Sequence, residues 1–328
     1  MTSTKNAIQR PSPTGRALPC HLPRFDDYER APVALVCKKG GILSNSPRRN
    51  IECALVSVIT VVRNSVTTLS RTIESIKAQV YPRVEYLIVD GGSIDGTLDV
   101  IRRYESDVDL WVSDPDHGIS DAFNKGIALS AGQFVALVNA DDWIEPDHIW
   151  KAVETLTHTG ADFAFGNLTV HGRDGHELYS VIGDRDYARC LHHAMTAVNH
   201  PTVVCRRSVF ELNGLFDPRF RVAMDYEWLL RNHTLGIVGA LVPNLTSHMS
   251  ADGMSQTHVR QSLREVRLAS VQYGYSPALA ATRYYLRRSR AWLRHLLEQC
   301  LPKSFLDALR ATLNSSYRGI SSRSSTND

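Results

Sequence analysis

Residues 55–62 read Leu-Val-Ser-Val-Ile-Thr-Val-Val, and this β-branched, almost wholly apolar run predicts a strand that is buried on both faces. Outward from it, helical and strand patterns alternate along the chain. The predicted helices cover residues 67–79, 97–104 and 119–129, and the predicted strands cover 84–89, 110–112 and 134–138. Strand and helix alternate four times in about 85 residues, which indicates an α/β fold with a mainly parallel sheet, flanking helices and right-handed crossovers.

The second half of the chain has less regular patterns. Predicted strands cover 162–170, 177–182, 202–205 and 237–241, and predicted helices cover 207–213, 225–233, 257–273 and 277–299. Shifts in composition divide the chain into four parts: a Pro- and Ser-rich leader (1–50) that we expect to be disordered, an α/β domain (51–255), a basic amphipathic helical extension (256–310) and a disordered tail (311–328).

The composition is that of a soluble, folded protein, since 43% of the 328 residues are hydrophobic and 22% are charged. The apolar runs fall far short of the roughly 18–20 residues that cross a bilayer, so we expect no transmembrane helix. The N-terminus lacks the apolar segment of a secretory signal. Six cysteines without C-x-x-C spacing argue against a zinc knuckle or a disulfide scaffold, and they suit the reducing cytoplasm.

The net charge of +3 conceals an asymmetry along the chain. From Arg260 to the end, 12 Lys and Arg residues stand against 4 Asp and Glu residues, whereas the rest of the chain is acidic overall. A basic helix with interspersed aromatic residues is typical of a contact with an anionic surface. We therefore expect a peripheral contact with the inner face of the plasma membrane. A merely solvated Arg-rich helix face is the alternative, and nucleic acid is not an expected partner.

Acidic side chains follow three of the predicted strands at the points where these strands end. Asp90 closes one strand, Asp114 and Asp116 follow the next, and Asp141 and Asp142 follow a third. A single aspartate in such a position usually caps a turn or a helix. Three strands that deliver carboxylates to one edge of a sheet need a cation, or a ligand rich in hydrogen-bond donors, to offset their repulsion. In open α/β sheets this edge is also where ligands bind.

The glycine-rich stretch at 90–97, Asp-Gly-Gly-Ser-Ile-Asp-Gly-Thr, lies between a strand and a helix, which is the usual position of a phosphate-binding loop. It lacks the G-x-G-x-x-G order of a dinucleotide-binding fold and the G-K-[ST] end of a P-loop. Its two aspartates would repel phosphate. The stretch is therefore better suited to the hydroxyl and N–H groups of a ribose or of a base edge.

Five motifs carry a resemblance to a known family. In chain order they are VSVITVVRN (56–64), VDGGSIDGT (89–97), PDHGISDAFNKG (115–126), NADDW (139–143) and AMDYEWLL (223–230). Together they resemble family 2 glycosyltransferases of the bacterial exopolysaccharide and colanic-acid-type branch. These enzymes have the GT-A fold, a Rossmann-like architecture that binds nucleotide sugars. The resemblance covers about residues 54–260.

The resemblance implies an inverting enzyme that uses a nucleoside-diphosphate sugar, with UDP as the commoner nucleotide, and a Mn²⁺ or Mg²⁺ ion. The implied acceptor is a glycan or a lipid-linked glycan. The implied nucleotide-sugar-binding residues are Thr60, Asn64, Asp90, Ser93, Asp121, Asn124 and Asp141, the metal ligands are Asp142 and His248, the catalytic base is Asp225, and His200 and Glu227 lie on the acceptor side.

Two of these assignments depend on local departures from the family pattern. Residues 139–142 are Asn-Ala-Asp-Asp instead of a literal D-x-D, so the direct metal ligand is either Asp141 or Asp142. His248 lies in the stretch 247–255, which resembles a flexible loop near the diphosphate. The chemistry agrees with the metal and the base, because a hard cation neutralises a departing diphosphate and a carboxylate can take the acceptor proton without a covalent intermediate.

Two other classes of protein share this architecture. A sugar-phosphate nucleotidyltransferase should carry a glycine-rich, basic phosphate loop near its first strand, and residues 60–65 (Thr-Val-Val-Arg-Asn-Ser) do not form one. A catalytically inactive glycan-binding or scaffold protein should have lost Asp142 or Asp225, and both are present. The products separate the enzymes, because the first releases pyrophosphate and a glycosyltransferase releases a nucleoside diphosphate.

Overall fold

The computed structural model describes residues 21–29, 38–40, 53–172, 174–191, 198–251 and 258–300. The chain divides into two compact units, one that ends at Tyr275 and one that begins at Ser276. The first of the two C-terminal helices therefore belongs to the larger unit, and not to the separate extension that the sequence predicts from residue 256. The expected disordered tail lies outside the described residues.

The strands and helices follow the predicted alternation in the first half and add several elements elsewhere. The strands are β1 (Lys38–Gly40), β2 (Val56–Val62), β3 (Val84–Asp90), β4 (Leu110–Ser113), β5 (Phe134–Asn139), β6 (Trp143–Ile144), β7 (Phe163–His171), β8 (Glu177–Val181), β9 (Val204–Arg206) and β10 (Gly239–Ser250). The helices are α1 (Phe25–Glu29), α2 (Leu69–Lys77), α3 (Thr97–Arg103), α4 (Ile119–Leu129), α5 (His148–Thr159), α6 (Tyr187–Cys190), α7 (Arg207–Asn213), α8 (Met224–Thr234), α9 (Val259–Gln272) and α10 (Pro277–Cys300). Short 3₁₀ helices cover Glu105–Asp107 and His200–Thr202.

The strands form one ten-stranded sheet in the order β1-β4-β3-β2-β5-β9-β7-β10-β6, with β8 paired to β7. Strands β4, β3, β2 and β5 run parallel, as the sequence predicts. Beyond them the sheet is mixed, because β9 runs antiparallel to both β5 and β7, while β7 and β10 are again parallel. The carboxyl ends of the four central parallel strands therefore meet at one edge, and the loops that follow them form the candidate site.

The central strand β2 is buried along its whole length, which explains its unbroken apolar run. Alternate side chains of β2 enter two different cores, with Ile59 in the core that contains Phe123 of α4 and Val58 in the core that contains Ile73 of α2. Helix α4 approaches β2 closely through Gly126. A Cβ atom at that position would lie 2.4 Å from Cγ2 of Ile59, so only glycine permits this contact.

The N-terminal segment departs from the expectation of a disordered leader. Residues 21–29 include α1, and the hydroxyl of Tyr28 donates a hydrogen bond to Asp121 of α4 over 3.1 Å. The backbone N–H of Leu215 donates to the carbonyl of Pro23, and Leu22 is buried. Strand β1 pairs with β4 at the sheet edge. The expectation is therefore wrong for these two segments, because long-range contacts order a stretch that has no periodic pattern of its own.

Two further differences lie near the candidate site. Helix α5, which the sequence analysis does not predict, covers β10 and follows β6 directly. Strand β10 extends to Ser250 instead of ending at residue 241, and it pairs with both β7 and β6. Residues 247–250 are consequently strand and not part of a flexible loop, whereas 252–257 lie outside the described residues.

The second compact unit contains α10, which presents exposed aromatic and aliphatic side chains, including Tyr285, Leu286 and Trp292. Arginines at 283, 287 and 288 lie on the same helix. Among the helices of the described residues, none combines the length and the apolar composition that crossing a membrane requires.

Candidate active site

The loops that follow β2 and β3 are joined to each other by hydrogen bonds. The backbone N–H of Asn64 donates to Oγ of Ser93 over 2.8 Å, and the N–H of Ile94 donates to Oδ1 of Asn64 over 3.0 Å. Asn64 has a φ of +53°, a left-handed conformation that asparagine tolerates better than most residues. The sequence-predicted residues Asn64 and Ser93 are thus held together at the carboxyl edge of the sheet.

Asp90 lies beneath this pair of loops and is fully buried. Its carboxylate accepts hydrogen bonds from the Ser113 hydroxyl (2.7 Å), from the Ser93 hydroxyl and N–H, and from the Gly92 N–H (3.1 Å). Thr60 is also fully buried and accepts a hydrogen bond from the hydroxyl of Tyr86. In this structure Asp90 and Thr60 therefore shape the loops from below and expose no surface to a nucleotide, which corrects their predicted direct contact.

The side chains of Asp121 and Asn124, both on α4, form hydrogen bonds and an ion pair with other residues of the protein. The Asp121 carboxylate accepts a hydrogen bond from the N–H of His117 (3.1 Å) and pairs with Lys125 (3.3 Å). Asn124 is fully buried, and its amide bonds both the N–H and the C=O of Phe216 over 2.9 Å. Burial raises the pKa of Tyr28, the partner of both residues, to about 12, so this phenol stays neutral. It donates to Oδ1 of Asp121 and accepts from Nδ2 of Asn124. The predicted contact of Asn124 with the donor is not available in this geometry.

The loop after β5 presents two carboxylates and one amide. Asn139 donates from Nδ2 to Oδ2 of Asp142 over 2.9 Å, and Asp142 is only 1% exposed. Oδ1 of Asn139 and Oδ1 of Asp142 are both buried, and neither has a hydrogen-bond partner among the described residues. Buried acceptors without donors are costly, so this pair of oxygens fits a bound cation.

The electrostatics around Asp141 and Asp142 also favour a bound cation. Burial raises the pKa of Asp142 well above its ordinary value, and the neighbouring Asp141 raises it further. Burial also raises the pKa of Asp141, which remains partly exposed. Arg71 of α2 opposes both shifts. A divalent cation would stabilise both carboxylates in the ionised form.

Arg71 and Trp143 form a platform beside these aspartates that the sequence analysis did not single out. The Arg71 guanidinium lies 3.6 Å above the centroid of the Trp143 ring. It also donates from Nη2 to the Asp141 carbonyl oxygen (3.2 Å) and to the Ser250 hydroxyl (3.1 Å). The arginine thereby ties α2 and the end of β10 to the acidic loop. The sequence signal for this contact was an arginine in the first turn of α2, the helix that follows β2.

His248 lies on the other side of Trp143 and is not placed as a metal ligand. Its ring stacks on Trp143 at 5.0 Å and 12°. Its Nδ1 is 3.0 Å from Nε2 of His171, and its Nε2 is 2.7 Å from Oε1 of Glu145. Both ring nitrogens are therefore engaged elsewhere, which corrects the predicted role. Across the described residues, no group of three or more His, Cys, Asp or Glu side chains is arranged to hold a metal.

Asp225 lies in the first turn of α8 and lines a small pocket of about 40 Å³ with His200 and Trp228. Asp225 is partly exposed, and its Oδ1 accepts a hydrogen bond from the N–H of Tyr226. Burial lowers the pKa of His200, although Asp225 acts in the opposite direction. His200 Nε2 is buried without a hydrogen-bond partner in the part of the chain that the structure describes. The structure thus brings Asp225 and His200 to one pocket.

Glu227 has a structural position instead of an acceptor-side one. It is fully buried and forms an ion pair with the equally buried Arg231, with 3.0 Å between Oε1 and Nε. The hydroxyl of Tyr273 donates a second hydrogen bond to the same oxygen over 2.6 Å. The predicted contact with an acceptor is therefore wrong. The Glu-x-x-x-Arg spacing on a helix was the sequence signal for this ion pair.

Comparison with solved structures identifies the architecture. A crystal structure of residues 1–349 of TarS from S. aureus, in complex with UDP-GlcNAc, matches with a TM-score of 0.52 and 16% identity over 70% of each chain. The mannosyltransferase PcManGT from Pyrobaculum calidifontis, in complex with GDP-Man and Mn²⁺, matches with a TM-score of 0.50 and 19% identity, covering 80% of this chain and 84% of that one. The fold is therefore the GT-A glycosyltransferase fold.

Sequence comparison then gives the family. The Glycosyl transferase family 2 profile matches residues 57–212. An uncharacterized glycosyltransferase of Mycobacterium tuberculosis (strain CDC 1551 / Oshkosh) is 34% identical over 182 residues, which cover 54% of this chain and 68% of the relative. The succinoglycan biosynthesis protein ExoO of Rhizobium meliloti is 29% identical over 186 residues, 52% of this chain and 53% of that protein. The chain belongs to glycosyltransferase family 2 and is a glycosyltransferase.

Proposed function

We propose that the protein is an inverting, metal-dependent glycosyltransferase that moves a sugar from a nucleoside-diphosphate sugar to a glycan or lipid-linked glycan in polysaccharide biosynthesis. The observation that carries the proposal is the pair of unpartnered acceptor oxygens on Asn139 and Asp142 at the carboxyl edge of the parallel strands. The relative named for succinoglycan biosynthesis supports the pathway, and the neighbours in complex with UDP-GlcNAc and GDP-Man support the donor class.

The donor nucleotide would bind against the joined loops after β2 and β3. Asn64 and Ser93 fix these loops to one another, and Asp90 holds them from below. Because the loops are preorganised by their own hydrogen bonds, little ordering is required when a nucleotide binds. The base and ribose would therefore meet backbone groups that are already in place.

Asp141, Asp142 and Asn139 would hold the Mn²⁺ or Mg²⁺ ion. Such an ion commonly uses one or two carboxylates together with substrate phosphates, so the lack of a larger cluster in the described residues is compatible with it. When bound, the ion neutralises the charge that develops on the departing diphosphate. The protein contributes the fixed position of the acidic loop, which Arg71 and Trp143 hold against α2.

Asp225 would take the proton of the acceptor hydroxyl as general base. Its carboxylate lies at a partly open pocket in the first turn of α8, within reach of solvent and of an incoming hydroxyl. His200 lines the same pocket and would face the acceptor. Direct displacement by the activated hydroxyl inverts the anomeric carbon and needs no covalent intermediate on the protein.

Turnover of defined donors tests the proposal. Purified protein is incubated with UDP-glucose, UDP-GlcNAc or GDP-mannose, with and without Mn²⁺, and release of nucleoside diphosphate is measured with water or an oligosaccharide as acceptor. We expect metal-dependent release with one donor. Asp225→Asn should lower it by about 10²–10⁴-fold, the usual contribution of a general base. Glu154→Gln on the exposed part of α5 is the matched control and should behave like the wild type.

Other outcomes separate the alternatives. Release of pyrophosphate from a sugar phosphate and a nucleoside triphosphate would favour a nucleotidyltransferase, and glycan binding without any turnover would favour an inactive scaffold. The configuration of the new glycosidic bond, read from proton NMR coupling of the product, tests inversion. A product with the donor's anomeric configuration would contradict the proposed mechanism.

The same proposal places the enzyme in the cytoplasm, where α10 contacts the inner face of the plasma membrane. The support is the combination of arginines with exposed Tyr285, Leu286 and Trp292 on one helix. Amphipathic helices of this composition bind anionic lipid surfaces through buried apolar area and charge attraction. An acceptor carried on a lipid would then be within reach of the enzyme.

A further inference from the structure

Helix α9 lies beyond the residues that the family profile matches, yet it packs on the helix that carries Asp225. Ser270 of α9 is 3.0 Å from the hydroxyl of Tyr226, oxygen to oxygen. Ala269 is fully buried in the same core as α8, and Tyr273 at the end of α9 donates a hydrogen bond to Glu227. These contacts fasten α9 along α8 from its first turn onward.

The most specific contact between α9 and the start of α8 is made by Glu265. Its Oε2 accepts hydrogen bonds from the backbone N–H groups of Val222 and Ala223, each over 2.8 Å. Its other oxygen accepts from Nε2 of Gln261 over 2.8 Å. The carboxylate is only 6% exposed, so these three donors replace its hydration.

This contact supplies a cap that the sequence of α8 does not provide. The N-terminal flanking residue of α8 is Ala223, whose methyl side chain cannot accept a hydrogen bond. The unpaired N–H groups at a helix start need an acceptor from elsewhere when they are buried. Glu265 provides that acceptor, although it lies more than forty positions later in the chain. The N–H group of Ala223 that it binds is two residues before Asp225.

We propose that Glu265 is a positioning residue for Asp225: by holding the backbone at Val222 and Ala223 it sets where α8 begins and where the Asp225 carboxylate lies. This inference rests on the proposed role of Asp225 as the base. Misplacement of a reacting group by about 1 Å can lower a rate by about a hundredfold. Removal of the Glu265 acceptor should therefore affect turnover and leave the proposed donor-binding loops after β2 and β3 intact.

The experiment compares Glu265→Ala, Glu265→Gln and Asp225→Asn with the wild type at a temperature well below every melting point. Glu85→Ala is the matched control, because Glu85 also accepts a backbone N–H, that of Ala131 over 2.8 Å, but at the opposite end of β3. Turnover of the panel UDP-glucose, UDP-GlcNAc and GDP-mannose is measured with Mn²⁺. Calorimetric affinity for UDP and GDP and amide hydrogen exchange at 222–226 are measured on the same samples.

We expect Glu265→Ala to lower kcat by about 10–100-fold, to speed exchange of the 222–223 amides, and to leave nucleotide affinity unchanged. Glu265→Gln, which keeps an acceptor oxygen, should recover most of the turnover. Glu85→Ala should lose thermal stability but keep its kcat. These outcomes together support a positioning role over a merely structural one.

Four results would overturn the inference. If Glu265→Ala keeps the wild-type kcat, or if Glu85→Ala loses kcat to the same extent, then Glu265 only stabilises the fold. If Asp225→Asn keeps its turnover while Glu265→Ala loses it, the role of Asp225 as base fails, and with it the stated reason for the Glu265 effect. If the wild type turns over none of the donors, the proposed function itself fails and the inference fails with it.

Discussion

Replacement of Asp142 by asparagine should make the metal-free protein more stable. Burial raises the pKa of Asp142 well above its ordinary value, so its contribution to stability is present at low pH and is lost as the pH rises through the folded-state pKa. Ionisation of the buried wild-type carboxyl group is therefore disfavoured in the folded protein, whereas an amide at this position carries no such cost. The side chain of asparagine keeps an acceptor for Nδ2 of Asn139 and replaces the unpartnered Oδ1 of Asp142 by an N–H donor.

The expected gain follows from the cost of a buried polar atom without a partner, which is about 1–3 kcal/mol. For Asp142→Asn we therefore expect a rise of about 1–3 kcal/mol in the free energy of unfolding at pH 7, without metal. In a domain of this size each kcal/mol raises the melting temperature by about 2–4 °C. The gain should shrink as the pH is lowered, because the wild-type carboxyl group then becomes protonated.

The same substitution should abolish stabilisation by metal and nucleotide. A ligand at a hundred times its Kd stabilises the wild type by about 2.7 kcal/mol, and the variant should show no such gain. Urea unfolding and calorimetry with and without Mn²⁺ and UDP or GDP measure both effects, with the exposed Glu154→Gln as control. A metal-free variant less stable than the wild type, or one that keeps its Mn²⁺-dependent shift, would show that Asp142 is not a buried metal ligand.

Three further predictions concern other parts of the molecule. Glu227→Ala leaves Arg231 buried without its carboxylate partner and should lower the free energy of unfolding by about 3–5 kcal/mol in urea titration, whereas no loss would show that the ion pair is unimportant. Burial lowers the pKa of His148 to about 4, so about 3 kcal/mol of stability present above its unfolded pKa should be lost as the pH falls toward 4, and His148→Gln should flatten this pH dependence. The full-length protein should co-sediment with phosphatidylglycerol-containing vesicles at low salt but not with neutral vesicles. Substitution of Arg283 and Arg288 by glutamate should weaken this binding. A full-length protein that stays wholly in the supernatant would contradict the role of α10.

The parallel half of the fold is readable from local sequence because its strands are buried on both faces. The predicted strands at 84–89 and 134–138 differ from β3 and β5 by a single residue at one end. The N-terminal segment was not predictable in this way. Its order depends on contacts such as that of Tyr28 with Asp121, which lies 93 residues away in the chain. The local sequence of residues 21–29 has no periodic pattern that could indicate a contact with so distant a residue.

The site was predictable where a strand end delivers a polar side chain to the sheet edge. Asp142 was predicted from its position after a strand and Asp225 from its place in a family motif, and both roles stay predictions. The structure places the two side chains at the acidic loop and at the start of α8. The sequence could not show which of the predicted side chains form hydrogen bonds with other residues of the protein. Asp90 is occupied by its own loop, and His248 by His171 and Glu145. The pairings of His248 depend on β10 lying between β7 and β6, and local sequence does not show which strands are neighbours.

Titration calorimetry of the wild-type protein with UDP, GDP, CDP and dTDP, each with and without Mn²⁺, tests whether the acidic loop supports metal-dependent binding of a nucleotide. Metal-dependent binding requires acceptor oxygens such as Oδ1 of Asp142 and Oδ1 of Asn139, which have no hydrogen-bond donor among the described residues. We expect one nucleotide to bind tightly in the presence of Mn²⁺ and weakly or not at all without it. Binding that is equally strong without metal, or no binding of any nucleotide with Mn²⁺ present, would contradict this expectation.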